Sequence, residues 1–166
     1  MQETRIIFEE LTKLLRQENA KFRVIQHPAE GSSAKVAEIR GTLPGQGAKA
    51  MLCRAKGVPG IFVLAVLSGD RKVDFRKVGE VVGGKKASLV SPEEATALTG
   101  CVMGAVPPFS FWPDVRLIVD PKLLESYEEI AFNAGRLDTS IVLNSRDYLC
   151  IAKPLLADIA VQEDEN

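Results

Sequence analysis

The chain has 166 residues, 46% of them hydrophobic and 26% charged, with a formal net charge of −1. That length suits one domain with its own core, residues 1–166, and so small a net charge excludes a protein that wraps long nucleic acid by bulk electrostatics. The apolar runs are too short to cross a membrane and the charged start is no secretory signal, so a cytoplasmic protein without membrane contact is expected.

The first segment, about Glu3 to Glu18, sets Ile6, Ile7, Leu11, Leu14 and Leu15 on one helical stripe. "KFRVIQH" then alternates as a short strand, ended by Pro28. "GSSAKVAEIRG" opens on Ser32 or Ser33 as an N-cap and closes on Gly41. A Gly- and Pro-bearing loop leads into the strand "AKAMLCRA". "GIFVLAVLS" is a continuous apolar run, suiting a strand buried on both faces. "RKVDFRKVGEVVGG" spaces Val73, Val78 and Val81 as a helix. After the brief strand "ASLV", "SPEEATALTG" carries a strong helix start, with Ser91 as cap and Pro92 in the first turn. "CVMGAVPPFSF" is broken by Gly104, Pro107 and Pro108. "VRLIVD" reads as a strand and "PKLLES" as a short helix. "EEIAFNAG" and "TSIVL" read as strands joined by a turn at "GRLD". Asn144 caps a last helix, "SRDYLCIAKPLLADI", which Pro154 is expected to bend or divide. The acidic tail is expected to fray.

Strands and helices interspersed through short connections give a mixed α/β class, with about six or more strands and some antiparallel pairs. Neither a G-x-G-x-x-G nor a P-loop motif is present, which disfavours a plain dinucleotide-binding sheet. The three cysteines, Cys53, Cys101 and Cys150, lie far apart, and His27 is the single histidine. Those spacings argue against a disulfide, and no metal and no cofactor is expected. The cysteines are expected as small buried apolar side chains.

Lys49 stands on the strand face that also carries Met51 and Cys53. Either it points to water from an edge strand, or it sits at a pocket and offers its charge to a phosphate or a polarised carbonyl. The loop from Gly104 to Pro108 is either a simple break or a rigid, bare backbone that aims N–H groups at one oxygen. "FNAGRLDTS" is either a self-satisfied hairpin turn or a source of pocket groups, with Asp138 and Ser140 foremost. His27 is read as a partly buried histidine before it is read as a base. Phe109, Phe111 and Trp112 fit core packing, with a stacking platform as the alternative.

In this order, the strand lysine, the G-x-x-x-P loop after a helix and the "AGRLD" turn before the last helix resemble the YbaK/prolyl-tRNA synthetase-associated editing domain family. The resemblance runs from the first helix to about Leu156 and is greatest towards its free-standing, YeaK-like branch. It implies a mixed α/β fold around a curved, partly barrel-like sheet surrounded by helices. The implied activity is hydrolysis of the ester joining a wrong amino acid to the terminal adenosine of a tRNA. The branch leans towards small or hydroxylated residues such as serine, threonine or alanine. Lys49 matches the family's lysine and Gly104 to Pro108 its loop. His27 and the turn from Gly135 to Ser140 match its remaining polar positions.

On that basis Lys49 and the backbone N–H groups of Gly104 and Ala105 are expected to be catalytic. Substrate contacts are expected from His27, Met51, Val106, Pro107, Pro108, Asp138 and Ser140. The basic run Arg71, Lys72, Arg76, Lys77, Lys85 and Lys86 is the candidate contact with the acceptor stem. The expected partner is the aminoacylated end of a tRNA, with a transient synthetase contact and a monomeric state. Two alternatives stand beside this. One is a family member without activity that binds a tRNA end or a protein. The other is a small-molecule hydrolase using Cys53 or His27.

Overall fold

A computed structural model describes residues 6–30 and 32–162. The chain order is α1 (Ile7–Gln17), β1 (Phe22–Gln26), α2 (Ser33–Arg40), β2 (Ala48–Ala55), β3 (Phe62–Ser68), α3 (Phe75–Val81), β4 (Ala87–Leu89) and α4 (Pro92–Thr99). Then follow β5 (Val115–Val119), α5 (Pro121–Ser126), β6 (Glu129–Arg136), β7 (Thr139–Asn144), α6 (Ser145–Ala152) and β8 (Leu155–Leu156). The class is mixed α/β, as the sequence indicates.

Ser91 and Asn144 cap their helices as expected, whereas Ser32 stands at the N-cap of α2 without a side-chain capping bond. Asp74 accepts from the Arg76 and Lys77 amides at the start of α3, Ser91 from Glu94 at α4, and Asn144 from Asp147 at α6. Gly41 and Gly100 end α2 and α4 in the left-handed region. Helix α1 buries Ile7, Leu11 and Leu15 along one stripe. Full burial of each leucine contributes about 1.5–3 kcal/mol. The part of this helix expected at residues 3–5 lies outside the described residues.

The strands form two sheets rather than one curved sheet. One is antiparallel, in the order β1-β7-β6; the other is mixed, in the order β4-β2-β3-β5-β8. Among the described residues a single parallel bridge, Gly47 to Ala131, joins the start of β2 to β6. The sheets therefore meet at a seam rather than closing into a barrel. Strand β3 is buried along most of its length because β2 and β5 flank it and side chains cover both faces. On β2, Ala48, Ala50 and Leu52 pack into the main core, whereas Met51 and Cys53 pack into a smaller cluster with Val78 and Ile159.

The C-terminal part departs from its expectation. Helix α6 stops at Ala152, Lys153 takes φ +49°, and Leu155–Leu156 pairs in parallel with β5. Pro154 cannot donate a helical hydrogen bond and disfavours a helical residue before it, so the chain leaves the helix rather than bending it. The start of the acidic tail is fixed as well. Ile159 and Ala160 are buried, Asp74 N donates to Ile159 O at 2.7 Å, and Val161 N donates to Lys72 O at 2.8 Å. Residues 163–166 lie outside the described residues. Among the cysteines, Cys53 and Cys101 are buried as expected but Cys150 is exposed. Among the described residues, no helix is long and apolar enough to cross a membrane.

Candidate active site

The loop after α4 is held by its neighbours. Ala105 N donates to Val102 O at 3.0 Å, closing a turn whose third residue, Gly104, has φ +89°. Such a turn calls for glycine there. Asn133 Nδ2 donates to Gly104 O at 2.9 Å, Gly135 N to Ala105 O at 2.8 Å, and Tyr148 OH to Pro108 O at 2.5 Å. Phe109 packs edge-on against Phe132 and Tyr148. These contacts fix the loop to β6 and α6, and the aromatic group serves the core. The Ala105 N–H is engaged inside its own turn, so it cannot also hold a substrate oxygen as expected. That leaves the Gly104 N–H.

Facing the loop is an open strand edge. Strand β4 pairs only with Cys53, Arg54 and Ala55, so among the described residues no strand covers that edge of β2 from Ala48 to Met51. Lys49 lies on this stretch, half-buried, and its Nζ donates to the Arg71 carbonyl. Burial lowers the ammonium below its usual 10.5, and the charge of Asp70 opposes that shift. The lysine therefore does not simply point to water.

The group that sequence reasoning passed over is Arg40, the last residue of α2. It is only 8% exposed. Its Nε donates to Ser140 Oγ at 2.7 Å and its Nη2 to Asn133 Oδ1 at 3.0 Å. Among the described residues it pairs with no carboxylate. Burial pulls its pKa down to about 10, so it remains a cation at neutral pH. Its one trace in the sequence is a four-residue spacing from Val36 on a shared helix face, which does not by itself announce burial; in the structure both are buried. Asn133 carried a signal too, as a lone amide inside the apolar strand "EEIAFNAG".

Two cavities share Lys49, Ala50, Gly104 and Val106. The first, of about 70 Å³, adds Ser33, Val36, Arg40, Gly47, Ala48 and Asn133, and is polar at its far end. The second, of about 180 Å³, adds Met51, Leu52, Leu89, Val90, Ala95 and Met103, and is apolar. Together they form one cleft along the open edge of β2.

Other expected site residues lie elsewhere. Asp138 is on the outer turn, where the hydrogen bond from Arg136 holds its carboxyl down at about 2. It opens, with His27, on a separate surface hollow that also includes Phe8 and Gln26. Ser140 is fully buried and lies behind Arg40 rather than in the cleft. His27 Nδ1 donates to Pro28 O at 2.8 Å, and its Nε2 is 2.7 Å from Ser140 Oγ. The single hydroxyl proton of Ser140 serves either His27 Nε2 or Asn133 Oδ1, which lies 3.2 Å away. His27 thus reaches the cleft only through Ser140 and Arg40. Met51 and Val106 line the cleft, but Pro107 and Pro108 are buried beneath the loop and line neither cavity.

The basic run divides. Lys72, Arg76, Lys85 and Lys86 are exposed. Arg71 turns inward, 3.5 Å from the buried carboxylate of Asp120, and Lys77 is tied to Asp158 and Ala160 O. Those two are structural ties rather than surface contacts. The Cys53 thiol, fully buried, is pushed up to about 12 by desolvation, so it cannot serve as the nucleophile of the small-molecule hydrolase alternative. Among the described residues no group of His, Cys, Asp and Glu could hold a metal ion.

Residues 27–151 match the model of the aminoacyl-tRNA editing domain. The chain belongs to the aminoacyl-tRNA editing domain family. It is 50% identical over 155 residues, 92% of each chain, to the multifunctional Ser/Thr-tRNA deacylase ProXp-y of Escherichia coli strain K12. Its fold is also that of the hypothetical protein APE2540, with a TM-score of 0.81 at 20% identity over 92% of this chain and 99% of that one. A proposed trans-editing enzyme for prolyl tRNA synthetase superposes with a TM-score of 0.79 at 22% identity, covering 96% and 100%. The editing-domain match takes in Arg40, Lys49, the Gly104 loop and Asn133, and so spans the whole cleft. Helix α1 and strands β1 and β8 lie outside it.

Proposed function

We propose that the protein is a trans-editing aminoacyl-tRNA deacylase that hydrolyses the ester of a tRNA mischarged with serine, threonine or alanine. One observation carries this reading: a small polar cavity and a larger apolar one meet at Lys49 and Gly104, on the open edge of β2. The 50% identity to a Ser/Thr-tRNA deacylase supports it.

The ends of the cleft suit the two ends of an aminoacyl-adenosine. The small polar cavity takes the amino acid together with its ester carbonyl, and bulkier side chains are excluded by clash with Val36, Ala48 and Val106. The apolar cavity takes the terminal adenine, against Met103, Leu89 and Val90. The ester then lies over Gly104. Lys49 supplies positive charge to the terminal phosphate, and the substrate's own ribose hydroxyl positions the water. An ester is activated enough that positioning and charge stabilisation suffice without a nucleophile–histidine pair. A monomer and a transient contact with a synthetase complete this reading.

The test is a panel of tRNAs charged with Ser, Thr, Ala, Leu and Phe. Hydrolysis of one or more of the first three, with the last two spared, is the expected result. Binding of tRNA without turnover of any ester would replace this reading with a binding protein of the same family.

A further inference from the structure

We propose that Arg40 is a further catalytic residue: its guanidinium pairs with the oxyanion that forms when water adds to the ester carbonyl. The inference rests on the deacylase reading given above and adds to it the group that stabilises the transition state.

The geometry leaves one side of the guanidinium for a ligand. Nε and Nη2 point inward, onto Ser140 and Asn133. Nη1 has no hydrogen-bond partner among the described residues, it is not among the fully buried polar atoms that lack one, and Arg40 lines the small cavity. Beside it the chain is bare: a Cβ on Gly47 would lie 3.7 Å from Nη1. A buried cation without a counter-ion is costly to keep. A substrate that develops negative charge there would supply the missing partner only as the reaction proceeds. That is the condition for lowering a barrier rather than merely tightening binding.

Of the other donors, the Gly104 N–H faces the ester without carrying charge, and two more are turned elsewhere. The Ala105 N–H is engaged with Val102 O, and Lys49 Nζ is turned onto the Arg71 carbonyl. Arg40 is also locked to the loop beneath the ester, because Asn133 accepts from Arg40 and donates to Gly104 O. The donor is thus placed before the substrate arrives.

The step balances without any further reactant. The water oxygen bonds to the carbonyl carbon, and the π pair of the C=O bond moves onto oxygen as the oxyanion at Arg40. That pair then re-forms the carbonyl as the bond to the ribose oxygen breaks. The proton lost by the water passes through the vicinal ribose hydroxyl to the departing ribose oxygen. The products are the free amino acid and a tRNA with an unesterified end.

The experiment is deacylation by Arg40→Ala and Arg40→Gln beside the wild type, under single- and multiple-turnover conditions, with melting temperatures taken in parallel. The expected result is a loss of about 100-fold or more in kcat, with KM held within about threefold. Methylguanidinium is expected to restore part of the rate to Arg40→Ala and none to Lys49→Ala. Should Arg40→Ala fail to fold, Arg40→Gln decides the matter, since its amide still reaches Ser140 without carrying charge. A variant that melts like the wild type and keeps its kcat would overturn the proposal. So would a loss confined to KM, which would instead put a substrate phosphate at Arg40. A wild type that hydrolyses no ester would overturn the deacylase reading itself, a result distinct from an active Arg40 variant.

Discussion

Asn133 Nδ2 donates to Gly104 O at 2.9 Å, fastening the glycine loop to strand β6. The same amide accepts from Arg40 through Oδ1 and donates to Glu30 O through Nδ2 at 3.2 Å. One side chain therefore sets the spacing between the loop, the buried cation and the segment before α2.

Asn133→Ala leaves those partners unpaired in a buried setting. The cost is about 1–3 kcal/mol, or a melting temperature lower by roughly 3–10 °C for a chain of this size. Deacylation is expected to fall about tenfold or more as the loop and Arg40 lose their fixed spacing. Thermal unfolding and single-turnover kinetics on the same preparation check both. Unchanged values in the two assays would remove Asn133 from the site.

The titration of Lys49 offers a test that needs no substrate. Burial lowers its pKa below 10.5, and Asp70 pulls it back up. Asp70→Asn is therefore expected to lower it further, followed through the lysine side-chain resonances by NMR. The sign for stability follows. Between the folded pKa and 10.5 the unfolded chain binds more protons, so stability rises with pH across that window. A Lys49 that titrates at or above 10.5 would contradict its half-buried placement.

Alkylation separates the three thiols. Cys53 and Cys101 are buried, and desolvation keeps the Cys53 thiol protonated at neutral pH, whereas Cys150 is exposed. Iodoacetamide on the folded protein is expected to modify Cys150 and leave deacylation unchanged, read by peptide mass mapping and activity. Modification of Cys53 with loss of activity would reopen a thiol-based chemistry.

The exposed bases Lys72, Arg76, Lys85 and Lys86 are expected to govern salt sensitivity. Replacing one by alanine should raise KM and leave kcat unchanged. It should also reduce the slope of log affinity against log salt by about 0.7–0.9 for each phosphate no longer neutralised. Arg71→Ala and Lys77→Ala should lower the melting temperature instead, because they break the ties to Asp120 and Asp158. Equal kinetic effects from both groups would contradict the division.

Much of the fold was legible because caps and periodicity are local. Ser91 before Pro92, Asn144 and the left-handed Gly41 sit where helices begin or end. Lys49 and the Gly104 loop were legible as well, as a charge on an alternating strand and a Gly–Pro spacing. The sheet arrangement was not, since pairing between β1 and β7 joins residues more than a hundred positions apart. Nor was Arg40: an arginine in the last turn of a helix looks like an ordinary partner for the helix dipole. Its burial comes from Ser140 and Asn133, on strands far along the chain. Asp138 looked like a pocket group because it belongs to a polar cluster between two apolar strands, at the turn that matches the family's. The turn instead leaves Asp138 with Arg136 in solvent, while Ser140, inside the strand, faces the interior.

The most direct test is single-turnover hydrolysis of Ser-tRNA and Thr-tRNA by the wild type and by Lys49→Ala, with Tm confirming that both are folded. The account predicts turnover by the wild type and a loss of about 100-fold or more in the variant. Equal rates for the two proteins would contradict it.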